Sequence, residues 1–420
     1  MIESEAGLRS PTRAAGLRRL EEFLPYAGRD YAEARNHDLG PDDRANVSTL
    51  SPYLRHRLIG EEEVAAAAIG RFGFRGAEKF LQEVLWRTYW KGWLEMRPGV
   101  WNDYRVEVRG LFDARERDAG LRGRFEAATA GRTGIACFDS WAREMVEVGY
   151  LHNHARMWFA SLWIFTLGLP WALGADFFLR HLFDGDPASN TLSWRWVAGL
   201  QTRGKTYLAT ADNIAKYTGG RFRPKEALAK SAAPIEGPPL PALGPLRPAD
   251  RLGEAKPLGL LLTEEDLWPE GLGLPEGRIA TVAGVTASDE RSPMGVSPDV
   301  NEFTARAMGD ALTRASDHFA VPAARIEGPW EQGVVAWARD HGLRQVATPY
   351  APIGPARERL DLVDDALRLA GVDLVRLRRP WDDVLWPLAT SGYFGFKSKL
   401  EPNLAHLGLL GQHGKAARSR

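Results

Sequence analysis

Apolar residues recur every three to four positions through four stretches of the first half of the chain: Glu61 to Ile69, Gly76 to Met96, Phe138 to Val148 and His154 to Leu167. That period places them on one helical face, so this half is predicted to be helical. Beyond residue 255 the rhythm changes to short apolar runs alternating with helical patterns. Strands are predicted at Leu258 to Leu262, Ile279 to Val285, Gln345 to Thr348 and Val372 to Leu377, with helices at Val300 to Ser316, Trp330 to His341 and Ala356 to Ala370. Strands separated by helices of this length imply parallel βαβ units. Between the two patterns, Ala233 to Ala249 reads APIEGPPLPALGPLRPA, whose six prolines remove amide donors and fix φ, as a stiff extended connector would. The expected architecture is an all-helical domain (1–230), a proline-rich linker (231–255), a doubly wound parallel α/β domain (256–390) and a C-terminal tail (391–420), whose polar, basic end from Gly411 to Arg420 is expected to fray.

Met157 to Ala175 carries no formal charge, long enough on paper to cross a bilayer. Gly168 and Pro170 interrupt it and Arg156 and Asp176 bracket it, so a buried helix followed by a turn is expected, with no membrane partner. The N-terminal MIESEAGLRSPTRAAGLRRL lacks a secretory apolar core, and its two glutamates argue against a mitochondrial presequence; a cytoplasmic location is expected. Composition works mainly by exclusion. With 420 residues, 44% hydrophobic and 26% charged, the chain can bury two or three cores and is not a disordered or fibrous sequence. The single cysteine, Cys137, rules out an internal disulfide, an iron–sulfur cluster and a Cys-rich zinc site. Fifty-four basic residues balance 54 acidic ones, so any affinity for a polyanion must come from a local basic face. Arg203, Lys205, Lys216, Arg221 and Arg223 could form one, although a solvated loop is the default for each.

Gly199 to Thr206, GLQTRGKT, matches the phosphate-cradling Walker pattern in letters, but it follows a tryptophan-rich helical stretch rather than a strand, so a loop is expected. His152 and His154 lack further ligands for a metal site. More informative are three polar-aromatic faces. In LHNHARM, Asn153, Arg156 and Met157 share one helical face; in EVLWR, Glu83, Trp86 and Arg87 have the same i, i+3, i+4 spacing; and DGDPASNTLSWRW sets Asp184 and Asp186 in a turn, Asn190 and Trp194 one helical turn apart, and Trp196 after them. Ten of the fifteen tryptophans lie in this half, enough to enclose something large and flat, although aromatic stripes at helical spacing are more often plain core.

Taken in order, YAEAR, STLSPYL, EVLWR and the run from LHNHARM to DGDPASNTLSWRW resemble the helical FAD-binding domain of the photolyase/cryptochrome flavoproteins, over about Arg19 to Phe222. The resemblance implies that Tyr31, Ser48, Leu50 and Ser51 wrap the FAD phosphates and ribityl chain. Val47 stands where the family has threonine. Arg87 and Asn153 would lie along the cofactor, Arg156 would pair with Asp184 beside the flavin ring, Asp186 would hold the ring edge and ribityl end, and Asn190 would face flavin N5. It further implies that Glu83, Trp86, Met157 and Trp196 receive a cyclobutane pyrimidine dimer flipped out of UV-damaged DNA, with Glu83 as its hydrogen-bonding acid. Relatives that repair the (6-4) photoproduct typically have histidine at the position of Asn153, and their iron–sulfur branch needs four cysteines.

The implied reaction is blue-light-driven electron transfer from reduced FAD that splits the dimer. The implied alternative is a cryptochrome-like FAD photoreceptor acting on a signalling partner. Trp194 and Trp171 would be the inner and middle members of the tryptophan chain that reduces the flavin. The outer position holds Asp118, leaving Trp101, Tyr104 or Trp141 as exits. The family usually places its α/β antenna domain before the helical one. Here LGLLLTEEDL resembles the first antenna strand but comes after it, so the order is permuted, and no antenna pigment site maps onto this half. A monomer is the simplest expectation.

Overall fold

The computed structural model describes residues 10–225, 227–254, 257–275 and 277–410. Helices occupy the chain from Arg13–Phe23 to Ala211–Tyr217, and among the described residues five strands follow: β1 (Leu258–Thr263), β2 (Ile279–Val285), β3 (Ala323–Arg325), β4 (Gln345–Pro349) and β5 (Asp373–Leu377). All pair in parallel in the order β3-β2-β1-β4-β5. β1 is buried along its whole length at the centre, which is why it reads as an unbroken apolar run. β3 was not foreseen. Its three residues are mostly exposed at the sheet edge and give no apolar signal.

The long helix Glu78–Glu95 runs through the core of the helical half. The uncharged span after Arg156 divides into a helix Asn153–Ser161, a π-helical turn Leu162–Thr166 and a separate helix Trp171–His181. Gly168 at φ 62° and Pro170 make the break. Among the described residues, no helix is long and apolar enough to cross a membrane. Residues 231–254 form no helix or strand and run as a strap over both halves: the Ile235 amide donates to the Ala198 carbonyl at 3.0 Å and the Gly244 amide to Met96 at 2.9 Å, while Asp250 accepts from the Arg376 amide at 2.9 Å.

The two halves meet through buried charge. Arg55, His56 and Arg57 leave the helix Ser51–Arg55 and face Glu264, Glu265 and Asp266, which leave β1. Arg55 forks onto Glu265 at 2.6 and 2.7 Å, and Arg57 reaches Glu61 at 3.0 Å, Asp266 at 3.3 Å and Asp382 at 2.6 Å. Arg379 holds the same Asp266 at 2.6 and 2.7 Å, and His56 Nδ1 pairs with the Glu264 carbonyl at 2.8 Å. Above β4, Glu95 accepts from the Tyr350 hydroxyl at 2.6 Å and the Ile353 amide at 2.7 Å.

The segment expected as a tail from residue 391 is a correction. Tyr393–Lys397 and Leu400–His406 are helices, with Phe396, Leu400 and Leu404 buried and Tyr393 docked on the helix Glu78–Glu95. Isolated short helices are marginal, so this segment owes its order to that packing, which no local pattern announces. Gly411 to Arg420 lie outside the described residues.

Removing one member of a buried ion network strands its partners without water. Arg57→Met is therefore expected to lower the unfolding free energy by about 3–5 kcal/mol in urea titration. Arg306→Met, which deletes an exposed pair with Glu302, should leave the midpoint unmoved.

Candidate functional site

The first cluster forms around the Asp184-Gly185-Asp186 turn. Asp186 caps the helix Pro187–Val197 by accepting from the Ser189 amide at 2.6 Å, which fixes its carboxylate at a helix N-terminus. Its Oδ2 faces Arg87 at 3.5 Å, Lys91 at 3.7 Å and Arg55 at 4.0 Å, in a setting where Asp186 itself is 1% exposed. Burial alone would push this carboxyl up; Lys91, Arg87 and Arg55 outweigh it and hold it well below the ordinary carboxylate range. Asp184 accepts both guanidinium arms of Arg156, at 3.0 and 2.9 Å, while Arg156 Nε holds the Leu151 carbonyl at 2.8 Å. Here too burial acts upward, and Arg156 with the Ser51 hydroxyl brings the carboxyl below its usual value. That contact brings the STLSPYL loop to the cluster. In the loop, Thr49 takes φ 52°, Ser48 Oγ accepts from the Leu50 amide at 3.4 Å, and Leu50 is buried ahead of Ser51.

Among the described residues, Arg87 Nη1 and Lys91 Nζ, both facing Asp186, and Ser189 Oγ and Thr191 Oγ1, on the helix it caps, are buried without a hydrogen-bond partner. Buried donors left without a hydrogen bond are costly, so this set fits a ligand rich in anionic and hydroxyl acceptors, such as the diphosphate and ribityl chain of FAD.

The second cluster lies one turn earlier on the same helix. Glu83 forms an ion pair with Arg35; burial raises its carboxyl, with Arg35 opposing. Tyr31 is buried edge-on against Phe23 and Phe80 and sits within electrostatic reach of Glu83 and Arg35. Trp86 carries Tyr393 flat on its ring, 3.5 Å between centroids. The segment from His152 to Met157 adjoins this cluster through His152 Nε2 at 3.1 Å from the Arg35 carbonyl and His154 Nδ1 at 2.9 Å from that of Asn36. Asn153 is exposed and Met157 half-buried beside them. Trp196 stacks at 5.8 Å on Tyr207 and is not joined by direct ring contact to Trp86.

The third feature is aromatic. Asn190 donates its amide to the Ala175 carbonyl at 2.8 Å, and Trp194 packs edge-on against Phe178 at 5.1 Å. Trp194 also lies over Gly174, on the helix that Trp171 begins; a methyl at Gly174 would overlap the indole, so the close approach requires glycine. Trp171 meets Tyr104 at 5.7 Å, and Tyr104 meets Trp101 at 5.3 Å, whose Nε1 donates to Glu358 at 2.9 Å. Trp141 is elsewhere, stacked on Trp158 and bonded to Asp38, and Asp118 caps the helix Ala119–Thr129.

Four participants escaped the sequence reading. Lys91 follows Arg87 by one turn as a charge among tryptophans, a visible signal; Arg55 sits in a basic triplet whose acidic counterpart follows β1. Arg35 closes a recognised block, and Tyr393 left no signal.

Buried cations around a paired-carboxylate turn suit a large anionic cofactor. Residues 80–219 match the FAD binding domain of DNA photolyase. The chain is 34% identical over 200 residues to the deoxyribodipyrimidine photo-lyase of Streptomyces griseus, covering 47% of this chain and 41% of the relative. It is 31% identical over 255 residues to that of Thermus thermophilus, covering 59% and 56%, and 31% identical over 190 residues to the cryptochrome DASH of Gloeobacter violaceus, covering 44% and 37%. The helical half thus matches the FAD-binding domain of the photolyase/cryptochrome flavoproteins. The match spans about half the length of these relatives.

Because the Asp184 carboxyl is held below its unfolded value of 3.8, its pairing stabilises the fold above that pH and is lost as pH falls through the still lower folded value. Asp184→Asn is expected to cost about 3–5 kcal/mol at pH 7. The gap from the unsubstituted protein should narrow as pH falls below about 3.8, read by urea midpoints along a pH series.

Proposed function

We propose that the protein is a deoxyribodipyrimidine photo-lyase that repairs cyclobutane pyrimidine dimers in UV-damaged DNA under blue light, with FAD as its cofactor. The observation that carries this reading is the helix Glu78–Glu95, which presents Glu83 and Trp86 on one turn and Arg87 and Lys91 on the next. A base-receiving acid and aromatic face thus adjoin a cofactor-holding cation pair. When bound, reduced FAD supplies an electron on excitation by light.

In this reading Tyr31, Ser48, Leu50 and Ser51 line the ribityl and diphosphate end, Arg87 and Asn153 lie along the cofactor, and Asp186, with Arg156 and Asp184, faces the ring. Asn190 has its amide donor committed to Ala175, which leaves its oxygen to accept from a ring N–H. Glu83 hydrogen-bonds the flipped dimer, and Trp86, Met157 and Trp196 supply its apolar contacts. Trp194 and Trp171 carry electrons inward, and the ring contacts favour Tyr104 and Trp101 over Trp141 as their continuation.

The sheet half serves as a buttress. Ligands of such sheets bind at the carboxyl ends of the strands where strand order reverses, here between β1 and β4, and that edge is taken up by Arg55 on Glu265 and Glu95 on Tyr350 and Ile353. A second reading, a cryptochrome-like photoreceptor that signals to a partner, is favoured by one observation: Tyr393 covers the Trp86 face that repair would use.

The test is repair of an oligonucleotide carrying one thymine dimer by FAD-loaded, chemically reduced protein in blue light and in darkness. Light-dependent loss of the dimer is expected; its absence with FAD bound and reduced would favour the photoreceptor. Glu83→Ala should retain FAD and lower the repair yield, and normal repair by that variant would remove Glu83 from the site.

A further inference from the structure

Among the described residues, Trp86 has three ring neighbours. Tyr89 stands edge-on at 5.6 Å and Trp90 is tilted by 31° at 5.2 Å, both from its own helix. Tyr393 comes from the far end of the chain and lies parallel to within 12° at 3.5 Å. A ring at that separation fills the face it covers, so no second flat group can stack there while it remains. Tyr393 is buried, and its hydroxyl donates to the Gln82 carbonyl at 3.0 Å, beside Glu83, which is itself engaged by Arg35. Both groups assigned to an incoming base are occupied by the protein's own side chains.

The helix Tyr393–Lys397 is a single short turn-and-a-half between exposed Ser391 and Gly392 on one side and exposed Ser398 and Lys399 on the other. Its remaining ties are Phe396, the Lys397 pair with Glu78 at 2.7 Å, and the Tyr89 hydroxyl on the Ser391 carbonyl at 2.8 Å. Phe394 on its outer side is 85% exposed. The flanking helices keep their own anchors, Trp381 and Leu385 before it and Leu400 and Leu404 after it, so the short helix can move without undoing them.

We propose that Tyr393 is a built-in plug of a nucleobase seat: its ring holds the face of Trp86 that an extruded base takes, and residues 391–399 swing away when that base enters. This rests on the nucleobase reading of the Glu83–Trp86 site. A seat that is free in only a fraction of molecules binds more weakly by that fraction, so deleting the plug tightens binding.

The test is dark binding of a fluorescein-labelled single-stranded oligonucleotide, with and without one thymine dimer, by the FAD-loaded full chain. Tyr393→Ala, and Tyr393→Leu as an apolar filler that cannot stack, are compared with the unsubstituted protein, and Phe394→Ser controls for disturbance of the short helix. Both Tyr393 variants should bind the dimer tighter by on the order of tenfold, as expected if about a tenth of molecules are unplugged. Hydrogen exchange in residues 393–397 of the unsubstituted protein should rise on dimer binding. Dimer preference in the unsubstituted protein with no gain in either variant overturns the plug and leaves the repair reading standing. A gain for both oligonucleotides without dimer preference upholds the plug and overturns the repair reading. No binding by any of the proteins overturns both.

Discussion

The structure depends on an exchange of charge between two triplets that water does not reach. Arg55, His56 and Arg57 end one short helix, and Glu264, Glu265 and Asp266 end the central strand of the sheet. A buried guanidinium is tolerated only where carboxylates and carbonyls match it in number and direction. Glu265 takes both arms of Arg55, and Asp266 is shared by Arg57 and Arg379. The geometry admits one relative placement of the helical and sheet halves, because a displacement of either strands charges of both signs at once. A buried ion network adds little net stability, but removing one partner of it is costly, so these contacts tie the two halves together.

The network also reaches the candidate site. Arg55 donates to the Gly185 carbonyl at 2.9 Å while facing Asp186, so the turn that carries the site's carboxylates is braced from the sheet side. The helix Glu78–Glu95 is braced along its C-terminal half: Glu95 is tied above β4, and Thr88 receives the Trp381 indole N–H at 3.0 Å. One rigid helix thus holds the acid and aromatic group of one cluster and the cations of the other in fixed relation. Side chains held by packing in this way keep a fixed geometry.

Much of this was legible in the residues. Several of the long helices, though not Gly99–Arg117, and four of the five strands follow from the apolar pattern, because burial on one face imposes a 3.6-residue repeat and full burial in a parallel sheet imposes continuous apolar runs. The spacing of Glu83, Trp86 and Arg87 and the pair Asp184 and Asp186 were legible for the same reason: each lies within one or two turns of its partners. Lys91 was legible in principle, as a charge in an aromatic helical run. β3 was not, since three mostly exposed residues at an edge bury too little to leave a pattern.

The sequence by itself determined the classes of structure, the order of helices before strands, the proline-rich strap and the local constellations of acid, amide and aromatic groups, because each is set by interactions among neighbours along the chain. Only the tertiary structure decided that Arg35 pairs with Glu83, that the Trp171 ring meets Tyr104 while Trp141 stacks on Trp158, that the basic and acidic triplets meet, and that Tyr393 lies on Trp86. Those contacts join residues far apart in the chain, and no local preference encodes them. They follow from the requirement that every buried charge find its counterpart and every large ring find a face, which can be satisfied only once the whole chain is packed.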